Sequence, residues 1–277
     1  MPPALERILV ASDRHRKGEY TDEPAIQVAR RLDASLFMVY AVNVRELMFS
    51  IPLPTGEMTR APVRGTALEG ELVAEGHEVL HRFATRCDAE SISHDGTVCI
   101  GPPDVGWGEM ARTTDLALVR PVERDFGFWT RCFGAMFWRI ATTANRPVLI
   151  PSPQGLVADH IHFFYSNRPA SSRALPYVAA LAKRLQAPVT VRFLDDPSRR
   201  YGRVEECEEY LSTHGLAARI LGNRRIHDMA RALREDTQDG CLLVFDRSFA
   251  GRGGRGRARR FVDQVIGTAQ DSVVLCP

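Results

Sequence analysis

The chain has 277 residues, of which 44% are hydrophobic and 25% charged, with a formal net charge of +2. That balance suits a soluble globular protein with a buried core, in one large domain or two ordinary ones, and excludes a disordered or fibrous chain. So small a net charge argues against nucleic acid as the main partner.

The first predicted element is an apolar strand, Arg7 to Ala11, ending at Ser12-Asp13. A polar loop leads to Thr21-Asp22, which reads as a helix N-cap region with Glu23 and Pro24 in the first turn. Ala25, Val28, Ala29 and Leu32 then share a helix face. Ser35 to Val42 is a second strand, and Asn43 to Thr66 reads as a long loop with at most one short turn. Glu69 to Arg86 has helical periodicity. Thr97 to Ile100 is a third strand, closed by Gly101-Pro102-Pro103, and a short helix runs to Arg112.

The stretch from Asp115 to Pro151 carries the strongest pattern. Leu116 to Val119 reads as a strand, and a loop rich in arginine and aromatics follows to about Arg131. Phe133, Met136, Phe137, Ile140, Ala141 and Ala144 are spaced for one helix face, and Val148 to Ile150 is a further strand. A helix crossover makes the two strands parallel, and loops at the carboxyl ends of parallel strands form the usual ligand crevice.

After a linker at 154–158 the pattern restarts. His162 to Tyr165 is a strand ending at Ser166-Asn167, and Arg173 to Leu185 is a helix. Ala29-Arg30-Arg31-Leu32-Asp33-Ala34 matches Ala182-Lys183-Arg184-Leu185-Gln186-Ala187. Met110-Ala111-Arg112 matches Met229-Ala230-Arg231, and Val148-Leu149-Ile150 matches Val273-Val274-Leu275. The common order of these matches points to duplication. The expectation is two α/β domains, 1–153 and 159–277, with the apolar last strand of each pairing with the other so that no aggregation-prone edge is left open.

Asp13, Gly101-Pro102, Gly134 and the closing Arg146-Pro147-Val148-Leu149-Ile150-Pro151, with Pro169-Ala170-Ser171, Arg173-Ala174-Leu175 and Gly222 in the second half, resemble a tandem universal stress protein over nearly the whole length. The resemblance implies two tandem Rossmann-like domains of the adenine nucleotide alpha hydrolase type, each a mainly parallel five-stranded sheet flanked by helices. It also implies a cytoplasmic role in the stress response, often with bound ATP or AMP and without a settled enzyme activity.

ATP-binding members carry a glycine, two residues, a second glycine, nine residues, then glycine followed by serine or threonine. Glycines let backbone N–H groups approach phosphate oxygens, and a helix N-terminus adds unpaired donors. This chain departs from that pattern. The early positions fall near Arg120-Pro121 and Glu123-Arg124, and Ala135 follows Gly134 where a hydroxyl residue is expected. In the second half they fall near Phe245-Asp246 and Ser248-Phe249, and Ser166 stands where Asp13 stands in the first. The residues assigned to a degenerate nucleotide site are therefore Asp13, Gly101, Arg120, Gly134 and Ala135.

The loop from Gly251 to Arg260 offers Arg252, Arg255, Arg257, Arg259 and Arg260 as candidates for a local anion site, against a solvated mobile loop. His77 with His81, and His160 with His162, have pair spacings that a metal could use, but neither has a third ligand nearby, and no metal is expected. The aromatics Phe126, Phe128, Trp129, Phe133, Phe137 and Trp138 cluster around the first crevice loop and are assigned to packing or to closing the crevice. The six cysteines are scattered without a CxxC pair and read as reduced structural thiols. No apolar run approaches a membrane span, and the N-terminal residues lack the core of a signal peptide, so the expected location is the cytoplasm.

No Ser/His/Asp constellation, paired carboxylate motif or Walker sequence is present, so an enzyme is not expected. Two function classes remain. One is a stress-response or regulatory protein with degenerate nucleotide sites, acting through an unidentified ligand or protein partner and without a cofactor. The other is an ATP- or AMP-binding stress protein with slow hydrolysis. A homodimer of the whole chain is compatible with either.

Overall fold

A computed structural model describes residues 3–13, 19–43, 48–52, 55, 58–62, 67–120, 137, 139–152, 155–156, 158–166, 168–194, 204–224, 240–250, 262 and 271–277. The first half carries β1 (Arg7–Asp13), α1 (Glu19–Leu32), β2 (Ser35–Val42), β3 (Met48–Pro52), β4 (Met58–Pro62), α2 (Ala67–Ala89), β5 (His94–Ile100), α3 (Pro103–Met110), β6 (Leu116–Leu118) and β7 (Val148–Ile150). The second carries β8 (His160–Tyr165), α4 (Pro169–Leu185), β9 (Val189–Leu194), α5 (Val204–Thr213), β10 (Ala218–Arg224), β11 (Cys241–Asp246) and β12 (Ser272–Cys276).

Among the described residues, ten strands form one continuous sheet in the order β10-β9-β8-β11-β12-β7-β6-β1-β2-β5. Pairing is parallel within each half, and β7 meets β12 antiparallel, with Leu149 opposite Val274. Each half thus repeats one strand order, and the seam between them reverses direction. The carboxyl ends of the strands point one way in the first half and the opposite way in the second. The two crevices therefore open at opposite ends of the sheet.

Both faces of the sheet are covered, so the strands read as unbroken apolar runs. Ile8, Val10, Met38 and Phe163 face one core, under α1, α2, α4 and α5. Leu9, Ala11, Val39 and Leu243 face the other, with Trp107 of α3 and with Phe137, Ile140, Ala141 and Ala144 of the helical residues 139–144 and 137. Trp107 is fully buried and donates its indole N–H to the carbonyl of Val39 at 3.2 Å.

The repeated letters have a repeated geometry. Asp33 and Gln186 both adopt left-handed backbone, φ 48° and 53°, where α1 and α4 end. Ala34 N donates to Ala29 O at 3.0 Å, and Ala187 N to Ala182 O at 3.1 Å. These bonds satisfy carbonyls that the helix leaves open, in a Schellman-type ending. The arginines preceding the two caps reach out of their own halves, Arg184 to the first half and Arg31 to the linker. Arg184 donates to Leu32 O and to Ala4 O, each at 3.1 Å, and Arg31 donates to Leu156 O at 2.8 Å.

Four readings need correction. The connection after β2 is not a plain loop but contains the hairpin β3–β4, with Phe49 opposite Ala61 and Ile51 opposite Thr59. Its prolines, Pro52 and Pro62, sit in a two-stranded ribbon whose outer edges have no ladder to interrupt, which is where a strand tolerates proline. Helix α1 starts at Glu19, ahead of Thr21-Asp22, and takes Pro24 inside it, while α4 starts at Pro169 rather than Arg173. Proline suits a first helical position because it gives up a donor that would be orphaned there. Gly222 lies within β10 rather than after it, at a register shift between Leu221 and Arg224.

Candidate functional site

In the first half the strand order reverses between β1 and β6, which is where an open α/β sheet forms its ligand crevice. Val10 pairs with Leu118, so Asp13 and Arg120 emerge just beyond the paired ends of neighbouring strands. Asp13 is 4% exposed and Arg120 half-buried. Gly101 follows β5 and donates its N–H to Val42 O at 3.0 Å, tying the ends of β5 and β2 together. Nothing lies within 4 Å of where a Cβ on Gly101 would stand, so this glycine leaves open space at the crevice rim. The structure therefore brings Asp13, Gly101 and Arg120 to the same end of the first half's sheet.

Gly134 and Ala135 lie outside the described residues, as do Arg252, Arg255, Arg257, Arg259 and Arg260. Of the crevice aromatics, Phe137 is described, and it is buried in the core.

The second half replaces this pair. Ile8 pairs with Leu116, and Ile161 pairs with Leu242. Five residues on from Ile8 and Ile161 stand Asp13 and Ser166, and four on from Leu116 and Leu242 stand Arg120 and Asp246. The register thus confirms Ser166 as the counterpart of Asp13. It also sets a carboxylate, Asp246, where the first half has a guanidinium.

Asp246 is fully buried. It accepts hydrogen bonds from the Ser171 hydroxyl, from Ser166 Oγ at 3.3 Å and from Ser248 N at 2.7 Å. Ser248 Oγ donates to Ser166 Oγ at 2.6 Å, and Ser166 N donates to Ser171 Oγ at 2.9 Å. Burial pushes the Asp246 carboxyl above the usual range, and the hydrogen bonds from the three serines pull against that shift. Sequence reading quoted Ser171 but not this quartet. The spacing Asp246-Arg247-Ser248, an aspartate with a backbone donor two residues on, was the available signal.

Of the two histidine pairs, His160 and His162 are tied into the second half's sheet. The rings of His160 and His162 lie against each other at a tilt of 34°, with centroids 4.8 Å apart. His160 Nε2 lies 2.7 Å from Thr190 Oγ1, and Arg192 donates Nε–H to His162 Nδ1 at 3.2 Å. Burial, with Arg192 and Arg219 nearby, pushes His160 below its ordinary value. His77 and His81 are exposed on α2. Among the described residues no three His, Cys, Asp or Glu side chains come together as metal ligands.

The whole chain superposes on a universal stress protein from Archaeoglobus fulgidus, with TM-score 0.68 and 13% identity, over 98% of this chain and 95% of that one. The chain has the universal stress protein fold. Two proteins from Pseudomonas aeruginosa are similar across 99% of this chain. One is of unknown function, at TM-score 0.59 and 12% identity, and the other is provisionally described as a universal stress protein, at 0.56 and 12%. No family model matches the sequence, and no curated protein is significantly similar to it. In this universal stress protein fold the ten-stranded sheet spans both halves, and no described helix is long and apolar enough to cross a membrane.

Proposed function

We propose that this protein is a cytoplasmic stress-response regulator of the universal stress protein type, acting by binding a ligand or a partner rather than by catalysis. Its working crevice is that of the first half. The observation that supports this reading is the placement of a buried carboxylate, Asp13, and a cation, Arg120, past the paired ends of the two switch-point strands, and the replacement of both in the second half. Asp13 accepts a hydroxyl or amine donor, and Arg120 binds a single anionic group through its fork of N–H donors. That combination fits a nucleoside monophosphate better than a triphosphate. The sequence after Arg120 continues with Pro121, which has no N–H, and with Glu123 and Asp125, whose charge Arg124 and Arg131 can offset, so the missing glycines and the missing donor weigh more than charge. Losing two charge-assisted hydrogen bonds, at about 1.5–3 kcal/mol each, weakens ATP binding by a factor on the order of a hundred or more.

Calorimetry with AMP and ATP on protein shown to be free of nucleotide tests the proposal. AMP should bind at least as tightly as ATP, with no turnover of either. A low-micromolar ATP affinity that is lost on changing Asp13 or Gly134 would show the usual triphosphate site to be intact.

A further inference from the structure

We propose that the crevice of the second half is a carboxylate-binding pocket permanently occupied by the chain's own Asp246. The argument is an accounting of donors. Ser171 Oγ gives its proton to Asp246. Ser248 Oγ gives its proton to Ser166 Oγ. Among the described residues, Ser166 Oγ accepts from Ser248 and has two further partners, Asp246 at 3.3 Å and Ser171 Oγ at 2.8 Å. Ser248 N–H is directed at the other carboxylate oxygen at 2.7 Å. Each hydroxyl has one proton, and all three are committed within the quartet. A ligand reaching the quartet would find no hydroxyl proton of these three serines left to donate.

Position makes this arrangement specific to the switch point. Ser166 follows the last residue of β8 and Asp246 ends β11, the two strands between which the order reverses in this half. Ser171 comes from the first turn of α4, which follows Ser166 closely in the chain. Three elements therefore converge on one carboxylate, Asp246 and Ser171 being fully buried and Ser166 and Ser248 half-buried. The first half has a cation where Asp246 stands, so the carboxylate belongs to the second half alone. This inference goes beyond the proposed role of the first half and does not depend on it.

The test is chemical rescue. Asp246→Ala removes the carboxylate and leaves a cavity lined by its former donors. Thermal unfolding of this variant should begin several degrees below that of the native chain. Formate, against sodium chloride of equal ionic strength, should recover part of the loss because it binds only the folded form. The native chain should show no formate-specific shift, and Asp246→Asn should also fall below it. A formate effect on Asp246→Ala no larger than that of chloride would overturn the proposal, as would an Asp246→Asn variant as stable as the native chain. If Asp246→Ala does not fold, the native chain titrated with inorganic phosphate and AMP decides. Backbone amide signals of Ser166, Ser171 and Ser248 should stay in place, and a saturable shift at these three would refute an occupied pocket whatever happens at Asp13.

Discussion

Arg31 and Arg184 hold equivalent places in the two copies of the repeat, and each donates to a backbone carbonyl at the junction between them. Arg184 reaches two carbonyls, Leu32 O at the end of α1 and Ala4 O, whereas Arg31 reaches the single carbonyl of Leu156; each also approaches an exposed carboxylate, Asp33 at 3.8 Å from Arg184 and Asp159 at 3.9 Å from Arg31. Both guanidinium groups are about one-third exposed, which reduces what each bond contributes. Arg184→Ala should cost about 1–2 kcal/mol in urea unfolding, and Arg31→Ala should cost less. Equal losses would mean that the second acceptor of Arg184 contributes nothing.

The seam between the halves should make unfolding cooperative. Both cores contain residues from each half, and Leu149 and Val274 are buried where β7 meets β12. Leu149→Ala should destabilise by about 2–5 kcal/mol and lower the stability of both halves together. Two separate transitions in the native chain, only one of them moved by the substitution, would contradict this.

Two glycines of α2 should respond oppositely to the same change. Gly76 lies where a Cβ would come within 2.7 Å of the Tyr40 ring, whereas Gly70 has nothing within 4 Å. Gly70→Ala should stabilise by up to about 1 kcal/mol through helix propensity. Gly76→Ala should destabilise by about 1–3 kcal/mol, because the buried Tyr40 ring must move. Equilibrium unfolding of the pair reads both signs.

Buried thiols predict a loss of stability in alkali. Burial, with Asp22 and Asp88 adding to it, raises Cys87 from 9.0 to about 11, and burial with Glu208 raises Cys207 to about 12. In the unfolded chain both thiols ionise near their ordinary value, so above pH 9 the unfolded state releases protons that the folded state still holds. Their contribution is intact below pH 9 and declines as pH rises through 11 to 12. The double variant Cys87→Ala, Cys207→Ala should show a shallower decline over that window, measured by denaturant unfolding at each pH.

In the first-half crevice, Arg120→Ala should weaken AMP binding by roughly tenfold or more, the equivalent of one charge-assisted hydrogen bond. Circular dichroism of the variant, recorded at the same temperature, separates a loss of binding from a loss of fold. Unchanged affinity would remove Arg120 from the site.

The strands of the first half were legible because its central strands are buried on both faces. Such strands must be apolar throughout, as Leu36 to Val42 is, whereas the order of the strands in the sheet was not read from the sequence. The β3–β4 hairpin was not legible. Its letters carry Pro52, Pro54, Gly56 and Pro62, which read as loop punctuation, and the pairing between its own strands reveals it. Asp13 and Ser166 were legible as counterparts because both close the first strand of a half. The role of Asp246 was not, because its partners Ser166 and Ser171 lie 80 and 75 residues earlier in the chain. Serine is too common in turns to mark a buried network by itself.

The antiparallel seam also bears on how such a chain can change over time. When two identical chains meet about a two-fold axis, the residue on the axis packs against its own copy, and any substitution there is doubled. In this chain that slot is shared by Leu149 and Val274, a larger side chain against a smaller one, flanked by Ile150 against Val273 and Val148 against Leu275. Volume given up on one strand can be recovered on the other. Joining the halves in one polypeptide has thus made every contact in the seam adjustable from one side at a time, a freedom that a self-paired strand does not have.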